Sequence, residues 1–314
     1  MTDPLFHPGW IRFNEAQWGL TAEKVTLLPE KGDGWKLETV LYRNKKGLLT
    51  HPPRNPYLPM HFECATGRIS SLNRRKRLAL EGLAELLKKN RIKNRLTFSP
   101  LAQDVRPFLW QGMRAEPQFT YHIELDCWRD PVDPSALNRA RKARSLGYAC
   151  EVTTAYQDVC DCLKAAEERK KFDHQVSAEE LKTLAEQMGD NLVCFVLKNA
   201  QGEIKGASVC LYTEGHVVDW SAAIKTEALQ EGGNNILVEF LLDYFQEKGC
   251  KTFDFVGANI APVARMKELW GGSLVTYYTI RSPGLRDLAR TAVLTAKDLF
   301  KKNKAKPVAG IRLE

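Results

Sequence analysis

The sequence predicts a mixed α/β protein built from two similar halves, and three observations carry that reading. Apolar residues recur at helical spacing in some segments and in alternation in others, on both sides of the chain midpoint. An apolar helix, a strand, a Trp/Gly turn and a Tyr-bearing strand follow one another twice. The first series ends in Phe119-Thr-Tyr-His-Ile-Glu-Leu125 and the second in Val275-Thr-Tyr-Tyr-Thr-Ile-Arg281. A chain of 314 residues is also long for one hydrophobic core and comfortable for two.

The elements follow in order. His7-Pro-Gly-Trp10 opens a helix running to about Trp18, and alternation predicts strands near Val25–Leu28, Trp35–Tyr42 and Gly47–Thr50. Four prolines in His51–Pro59 exclude a helix or a central strand, so this stretch is an extended loop. Leu78, Leu80, Leu83, Leu86 and Leu87 mark an amphipathic helix. Strands are expected at Arg95–Phe98 and Phe119–Leu125, separated by Phe108-Leu-Trp-Gln-Gly112. The turn-rich Cys127–Pro134 is a boundary. Beyond it come helices at 135–146, 155–170 and 177–188, the last with Ser177 and Glu180 in capping-box spacing. Strands follow at 147–153, 191–198, 203–212 and 216–224, with Asn199–Gly202 as a hairpin turn. A helix at 235–248 ends at Gly249, and a strand runs through Phe253. The tail from Gly284 reads as a basic amphipathic helix ending in Lys301–Lys306. It either docks on the protein or touches an anionic membrane surface.

Composition bounds the function. No run of membrane-spanning length and no N-terminal apolar signal occurs, which predicts a cytoplasmic protein. Eight cysteines without a CxxC pair read as reduced thiols rather than as disulfides or zinc ligands. No HExxH, P-loop or nucleophile-elbow motif appears, the six histidines are scattered, and no metal site is expected. The net charge of +8 is concentrated: Arg68–Arg95 holds ten basic and two acidic residues, an excess equal to that of the whole chain. Within it, Arg74–Arg77 fall near a predicted helix start, where cations oppose the dipole unless an anion neutralises them. This is either a solvated basic face or the footprint of a polyanionic partner.

The order of several motifs resembles the FemABX-type aminoacyltransferases and the GNAT-like (BioF-like) acyltransferases. The residues that carry it are Pro52–Pro59, Pro107-Phe-Leu-Trp-Gln-Gly112, Asn138-Arg-Ala-Arg-Lys-Ala143, Phe253-Asp-Phe-Val-Gly-Ala-Asn259 and Gly271-Gly272. The resemblance covers most of residues 7–281. It implies an α/β (α+β) fold of two tandem GNAT-like domains, with mixed central sheets flanked by helices. The expected division is an N-terminal domain over 1–130, a C-terminal domain with the active site over 131–283, and a basic tail over 284–314. One departure stands out. Acetyl-CoA-binding members of the wider fold carry Arg/Gln-x-x-Gly-x-Gly/Ala before a helix. Here Gln230-Glu-Gly-Gly-Asn-Asn235 keeps Gly233 but has Asn235 at the second glycine position. A bulkier residue there hinders close approach to a pyrophosphate, which leaves an aminoacyl-tRNA open beside acyl-CoA as the carrier.

Candidate site residues follow from this frame. The helix start at Gly233, Asn234 and Asn235 offers unpaired N–H groups to an anionic donor. Asp254 alternates with two phenylalanines on its strand, and is either a proton acceptor or a structural carboxylate. Asn259 and Lys267 are further catalytic candidates, and Arg265 or Lys267 meets a phosphate or merely faces solvent. Asn138, Arg139 and Lys142 lie within about one helical turn as a polar, basic patch. Trp220, beside Asp219, is either a substrate platform or core. Tyr277 and Tyr278 point to opposite faces, so at most one lines the site.

The expected function is transfer of an aminoacyl or acyl group to an amine or hydroxyl acceptor, with a cell-envelope precursor as one acceptor class. The donor is an anionic carrier, aminoacyl-tRNA or acyl-CoA, acting as co-substrate without a tightly bound cofactor. Acceptors range from small molecules to glycans and peptides. Two alternatives stand beside it: an acyl-CoA-dependent N-acetyltransferase of a small molecule, and a non-catalytic RNA- or membrane-surface-binding protein of the same fold.

Overall fold

A computed structural model describes residues 3–29, 34–170 and 176–283, with the side chains of 165–170 left aside. The tail from Gly284, and the membrane contact expected of it, lie outside the described residues.

The first half contains α1 (Pro8–Trp18), β1 (Thr21–Leu27), β2 (Trp35–Arg43), β3 (Leu49–Thr50), β4 (Met60–Cys64), α2 (Ile69–Lys89), β5 (Leu96–Phe98), α3 (Arg106–Trp110) and β6 (Arg114–Glu124). The second contains α4 (Pro134–Ser145), β7 (Ala149–Thr153), α5 (Tyr156–Lys170), α6 (Ala178–Met188), β8 (Leu192–Lys198), β9 (Ile204–Thr213) and β10 (His216–Ile224). It continues with α7 (Thr226–Gln230), α8 (Gly233–Glu247), β11 (Thr252–Asp254), α9 (Ala261–Glu268) and β12 (Ser273–Arg281).

Strands β1 to β4 form a small antiparallel sheet around β2. The large sheet has the order β5-β12-β6-β11-β10-β9-β8-β7. Only its β10–β11 ladder is parallel. The expected mixed α/β architecture, with sheets flanked by helices, is what the chain adopts. Three cores hold it together. The small sheet packs on α2 through Leu80, Leu83, Leu87 and Phe98. One face of the large sheet packs on α4 and α8 through Phe195, Phe245, Phe253 and Trp270. The other face covers Trp10, Phe13, Leu181, Leu184 and Trp220. Burial of each such side chain contributes about 1.5–3 kcal/mol, so each layer is held by several independent anchors.

The repeated series is real in three dimensions. It is α2–β5–α3–β6 in one half and α8–β11–α9–β12 in the other. The long strands exchange: β6 pairs with the short β11 of the other series, and β12 with β5. Phe98 faces Tyr278 and Asp254 faces His122; positions 98 and 254, and positions 122 and 278, are each 156 apart. The two series are therefore related by an approximate twofold axis between β6 and β12.

Two local expectations are corrected. Helix α2 begins at Ile69, so Arg74–Arg77 sit past its first turn and do not oppose the helix dipole. Arg75 instead donates to the Ala65 carbonyl, and Arg77 pairs with Glu81 one turn on. Strand β6 starts at Arg114, five residues before the expected Phe119. Pro117 is tolerated inside it because only β12 pairs there, while β11 reaches just residues 122–124. The short helix α7 and strand β4 had no sequence signal of their own.

Candidate functional site

Strands β10 and β11 pair over three positions: His216–Thr252, Val217–Phe253 and Val218–Asp254. Then they part. β10 runs on to Ile224 through a bulge between Asp219 and Ser221. The chain after β11 bends away to β6, where the Phe255 N–H donates to the Tyr121 carbonyl (3.1 Å) and the Ala258 N–H to that of Phe119 (2.6 Å). A gap opens between β10 and residues 255–258.

The bend is strained. Val256 has φ of 48°, a conformation that disfavours β-branched residues, and Gly257 follows at 73°. Such an outlier costs about 1–3 kcal/mol and persists only where its surroundings hold it. Two buried charges do so. Asp254 Oδ1 accepts the Val256 N–H at 2.8 Å. The Lys267 ammonium, 8% exposed, donates to the carbonyls of Phe255, Val256 and Gly257 at 2.7, 2.9 and 2.7 Å. It also faces Asp219 on β10. Burial pushes that carboxyl up, and Lys267 partly offsets the rise. The Ser208 hydroxyl donates to Asp219 Oδ1 at 2.9 Å.

On the opposite face lies a polar cluster. Asp254 is fully buried; its Oδ1 also accepts from Thr120 Oγ1 at 2.6 Å, and its Oδ2 lies 3.3 Å from His122 Nε2. Burial pushes the carboxyl up, but His122, His216 and Thr120 together hold it below its ordinary value. It therefore stays ionised although enclosed. Tyr57, from the proline-rich loop, stacks edge-on against Tyr277 at 4.8 Å. Burial and the nearby Asp254 charge raise the Tyr57 phenol well above its usual range. Asn259 ties the cluster together: its Oδ1 accepts the Phe119 N–H at 2.9 Å and its Nδ2 reaches the Tyr277 hydroxyl at 3.4 Å.

The structure thus brings Asp254, Asn259, Lys267 and Tyr277 around one gap. Tyr278 packs instead toward the small-sheet core. Helix α8 starts at Gly233, with Gly232 at φ 91° before it. A Cβ on Gly232 would lie 2.4 Å from the Arg139 carbonyl, and one on Gly233 would meet Leu197 and the Ala228 carbonyl inside 3.0 Å. Close packing against α4 and α7 thus accounts for both glycines. The side-chain amide nitrogens of Asn234 and Asn235 are buried there without an acceptor. On α4, Arg139 and Lys142 are exposed, while Asn138 accepts from Arg141. Arg265 is exposed on α9. Trp220 is core: its Nε1–H donates to the Arg54 carbonyl at 2.8 Å and its ring packs edge-on against Trp10 at 5.2 Å. The Arg54 guanidinium lies over that ring and donates to Ser221 Oγ at 2.8 Å, which fixes the proline-rich loop on the β10 bulge.

Thr120, His122 and Tyr57 belong to this polar cluster but were not singled out from the sequence. His122 is made significant by its register opposite Asp254, which no local spacing encodes. Among the described residues one group of metal-type side chains occurs, Glu38, His61 and Glu63 on the small sheet, where Lys36 already neutralises Glu38 at 2.9 Å. No helix among the described residues is long and apolar enough to cross a membrane.

Comparison with known proteins agrees with this fold. Residues 135–262 match the family model of an acetyltransferase (GNAT) domain. No curated protein matches the sequence. Among solved structures, FemX superposes with a TM-score of 0.60 at 12% identity, covering 88% of this chain and 92% of its own. The C-terminal domain of a putative lysylphosphatidylglycerol synthetase from Agrobacterium fabrum gives 0.55 at 12% identity, with 99% and 95% covered. L-PGS from Bacillus licheniformis gives 0.52 at 15% identity, with 94% and 92% covered. Residues 135–262 thus carry a GNAT-type domain, and at these identities the structural likeness speaks for the fold alone.

Proposed function

We propose that this FemABX/GNAT-like protein transfers an acyl or aminoacyl group from an anionic carrier to an amine or hydroxyl acceptor at the gap between β10 and residues 255–258. The observation that carries the reading is the parting of β10 and β11 after three parallel pairs, with an ionised buried carboxylate at the last pair. Main-chain groups of β10 just beyond Val218 lack a β11 partner, and an extended carrier arm and an acyl oxygen would take its place. Asp254 and Lys267 hold the strained bend that keeps the gap open. Asn259 and Tyr277 line the acceptor side. The exposed Arg139 and Lys142 flank the start of α8, where carrier phosphates gain from both the cations and the helix terminus.

The GNAT-type domain makes acyl-coenzyme A the first donor to test, with an N-acetyl transfer to a small amine as the simplest reaction. The enclosed start of α8 favours a carrier held by outer cations over one whose pyrophosphate sinks into the loop. A charged tRNA is the second donor to test on that ground. The two-domain division at residue 130 is part of this proposal: the second unit supplies the gap and the first supplies the loop that covers it.

The test uses the full chain. Acetyl-CoA, longer acyl-CoAs and charged tRNA are screened by thermal shift, then as radiolabelled donors toward amine acceptors. A carrier at 100 times its Kd stabilises the fold by about 2.7 kcal/mol. Arg139→Ala with Lys142→Ala raises KM for that donor several-fold with little change in kcat. Absence of both binding and transfer for every carrier overturns the reading.

A further inference from the structure

We infer that His122 is the proton acceptor of the transfer and that Asp254 is its positioning partner, an inference that rests on the acyl-transfer reading above. The two residues stand opposite each other in the β6–β11 ladder, at the level where β10 and β11 separate. Asp254 has no route to a substrate. It is 0% exposed, and its Oδ1 is taken by Thr120 and the Val256 N–H. Its remaining oxygen faces His122 Nε2 at 3.3 Å. Both of these atoms are buried, and neither has another hydrogen-bond partner among the described residues. The His122 side chain is 21% exposed, and its Nδ1 has no partner among the described residues. A carboxylate that draws the Nε2 proton leaves the Nδ1 lone pair outward, the arrangement that makes an imidazole a base.

The surroundings fit this assignment. From β10, the His216 ring lies 5.9 Å away, edge to face. From the N-terminal segment, burial pushes the Asp3 carboxyl up and His216 draws it back down. From the proline-rich loop, the Tyr57 phenol is raised by burial and by Asp254. From β12, the neighbour in register is Ser273, which does not titrate. At the twofold-related position of the first half the pair is Phe98 and Tyr278, with neither carboxylate nor imidazole. The imidazole–carboxylate pair occurs only at the junction beside the open gap.

The step balances. The acceptor nitrogen attacks the acyl carbon, directly or with one water between it and His122. The N–C bond forms, the C–S bond of a coenzyme A thioester breaks, and the electron pair leaves on sulfur. The acceptor's proton passes to Nδ1, Asp254 stabilises the imidazolium, and the proton returns to the departing thiolate.

The test compares wild type with His122→Asn and Asp254→Asn in the full chain. Wild-type kcat/KM should show an acid limb, rising with pH as the base loses its proton and then levelling off. His122→Asn should lose about 10²–10⁴-fold in kcat and lose that acid limb, with donor affinity kept within about twofold. Asp254→Asn should also slow turnover and displace the limb. A His122→Asn enzyme with wild-type rate, or with the limb unchanged, overturns the assignment. A protein that turns over no donor instead overturns the acyl-transfer reading. The dyad is then judged by ¹⁵N imidazole spectra: a neutral, Nε2-protonated His122 that loses this tautomer in Asp254→Asn sustains it, and an Nδ1-protonated ring refutes it.

Discussion

The two exchanged series share a scaffold and differ in chemistry. Where the β11–β6 junction has Asp254 opposite His122, the β5–β12 junction has Phe98 opposite Tyr278. Where the second half cages three carbonyls with Lys267, the position 156 residues earlier is Gln111, which only accepts an exposed bond from Lys88. The first half has buried its junction in apolar contacts of the small-sheet core. The second maintains two buried charges and a strained valine at the same place. Strain and buried charge are costly, and the transfer site proposed above lies at the junction that keeps them.

The comparison can be broken most strongly by transplanting the charge. Phe98→Asp places a carboxylate in a fully apolar site without an imidazole partner, and should destabilise by at least about 4 kcal/mol in urea unfolding. Retention of most of the stability would mean that the first-half junction is not a sealed core. Next, Lys267→Met leaves three carbonyls and Asp219 without their counter-charge, for an expected loss of about 3–5 kcal/mol. The matched change Gln111→Met should stay within about 0.5 kcal/mol. Equal effects would remove the asymmetry between the halves.

Histidines sharpen it further. His51, in the first half, donates through Nε2 to the Asn55 carbonyl at 2.7 Å, and Nδ1 accepts the Thr97 N–H at 3.4 Å. Burial lowers it to about 4; the Asn55 carbonyl opposes that fall and the Arg95 charge adds to it. Its stabilisation is fully present above about pH 6.5, where the unfolded imidazole is also neutral. It is lost as the pH falls to about 4, because the unfolded chain gains a proton first. That amounts to about 3 kcal/mol over the window. His51→Gln should flatten the stability profile between these limits, and a persisting slope would assign it to other groups. The smallest effect is expected at the loop contact. Trp220→Phe keeps the packing but gives up the bond to the Arg54 carbonyl, costing about 1–3 kcal/mol in thermal unfolding, the lower end if water reaches that carbonyl.

Much of the fold was legible because local signals agreed with it. The Ser177–Glu180 capping box closes reciprocally at α6. Gly202 and Gly249 take the positive φ values their turns require. Strands β8 to β10 fall within a residue or two of where alternation put them. The site was only partly legible. Asp254, Asn259, Lys267 and Tyr277 stood out by type and order, and they converge. Lys267 looked like a phosphate ligand, yet its ammonium is spent on backbone carbonyls. His122 passed as one scattered histidine of six, and Val256 gave no sign of its left-handed backbone.

The sequence by itself determined most of the elements, several of their caps and turns, and the duplicated order of helix and strand, because these depend on residues within a few positions of one another. Only the tertiary structure decided that β6 and β12 trade places, that β10 and β11 part after three pairs, and that a carboxylate 132 positions along the chain from an imidazole becomes its neighbour. Strand register between distant segments is set by the summed burial of whole faces, and no short stretch of sequence carries that sum.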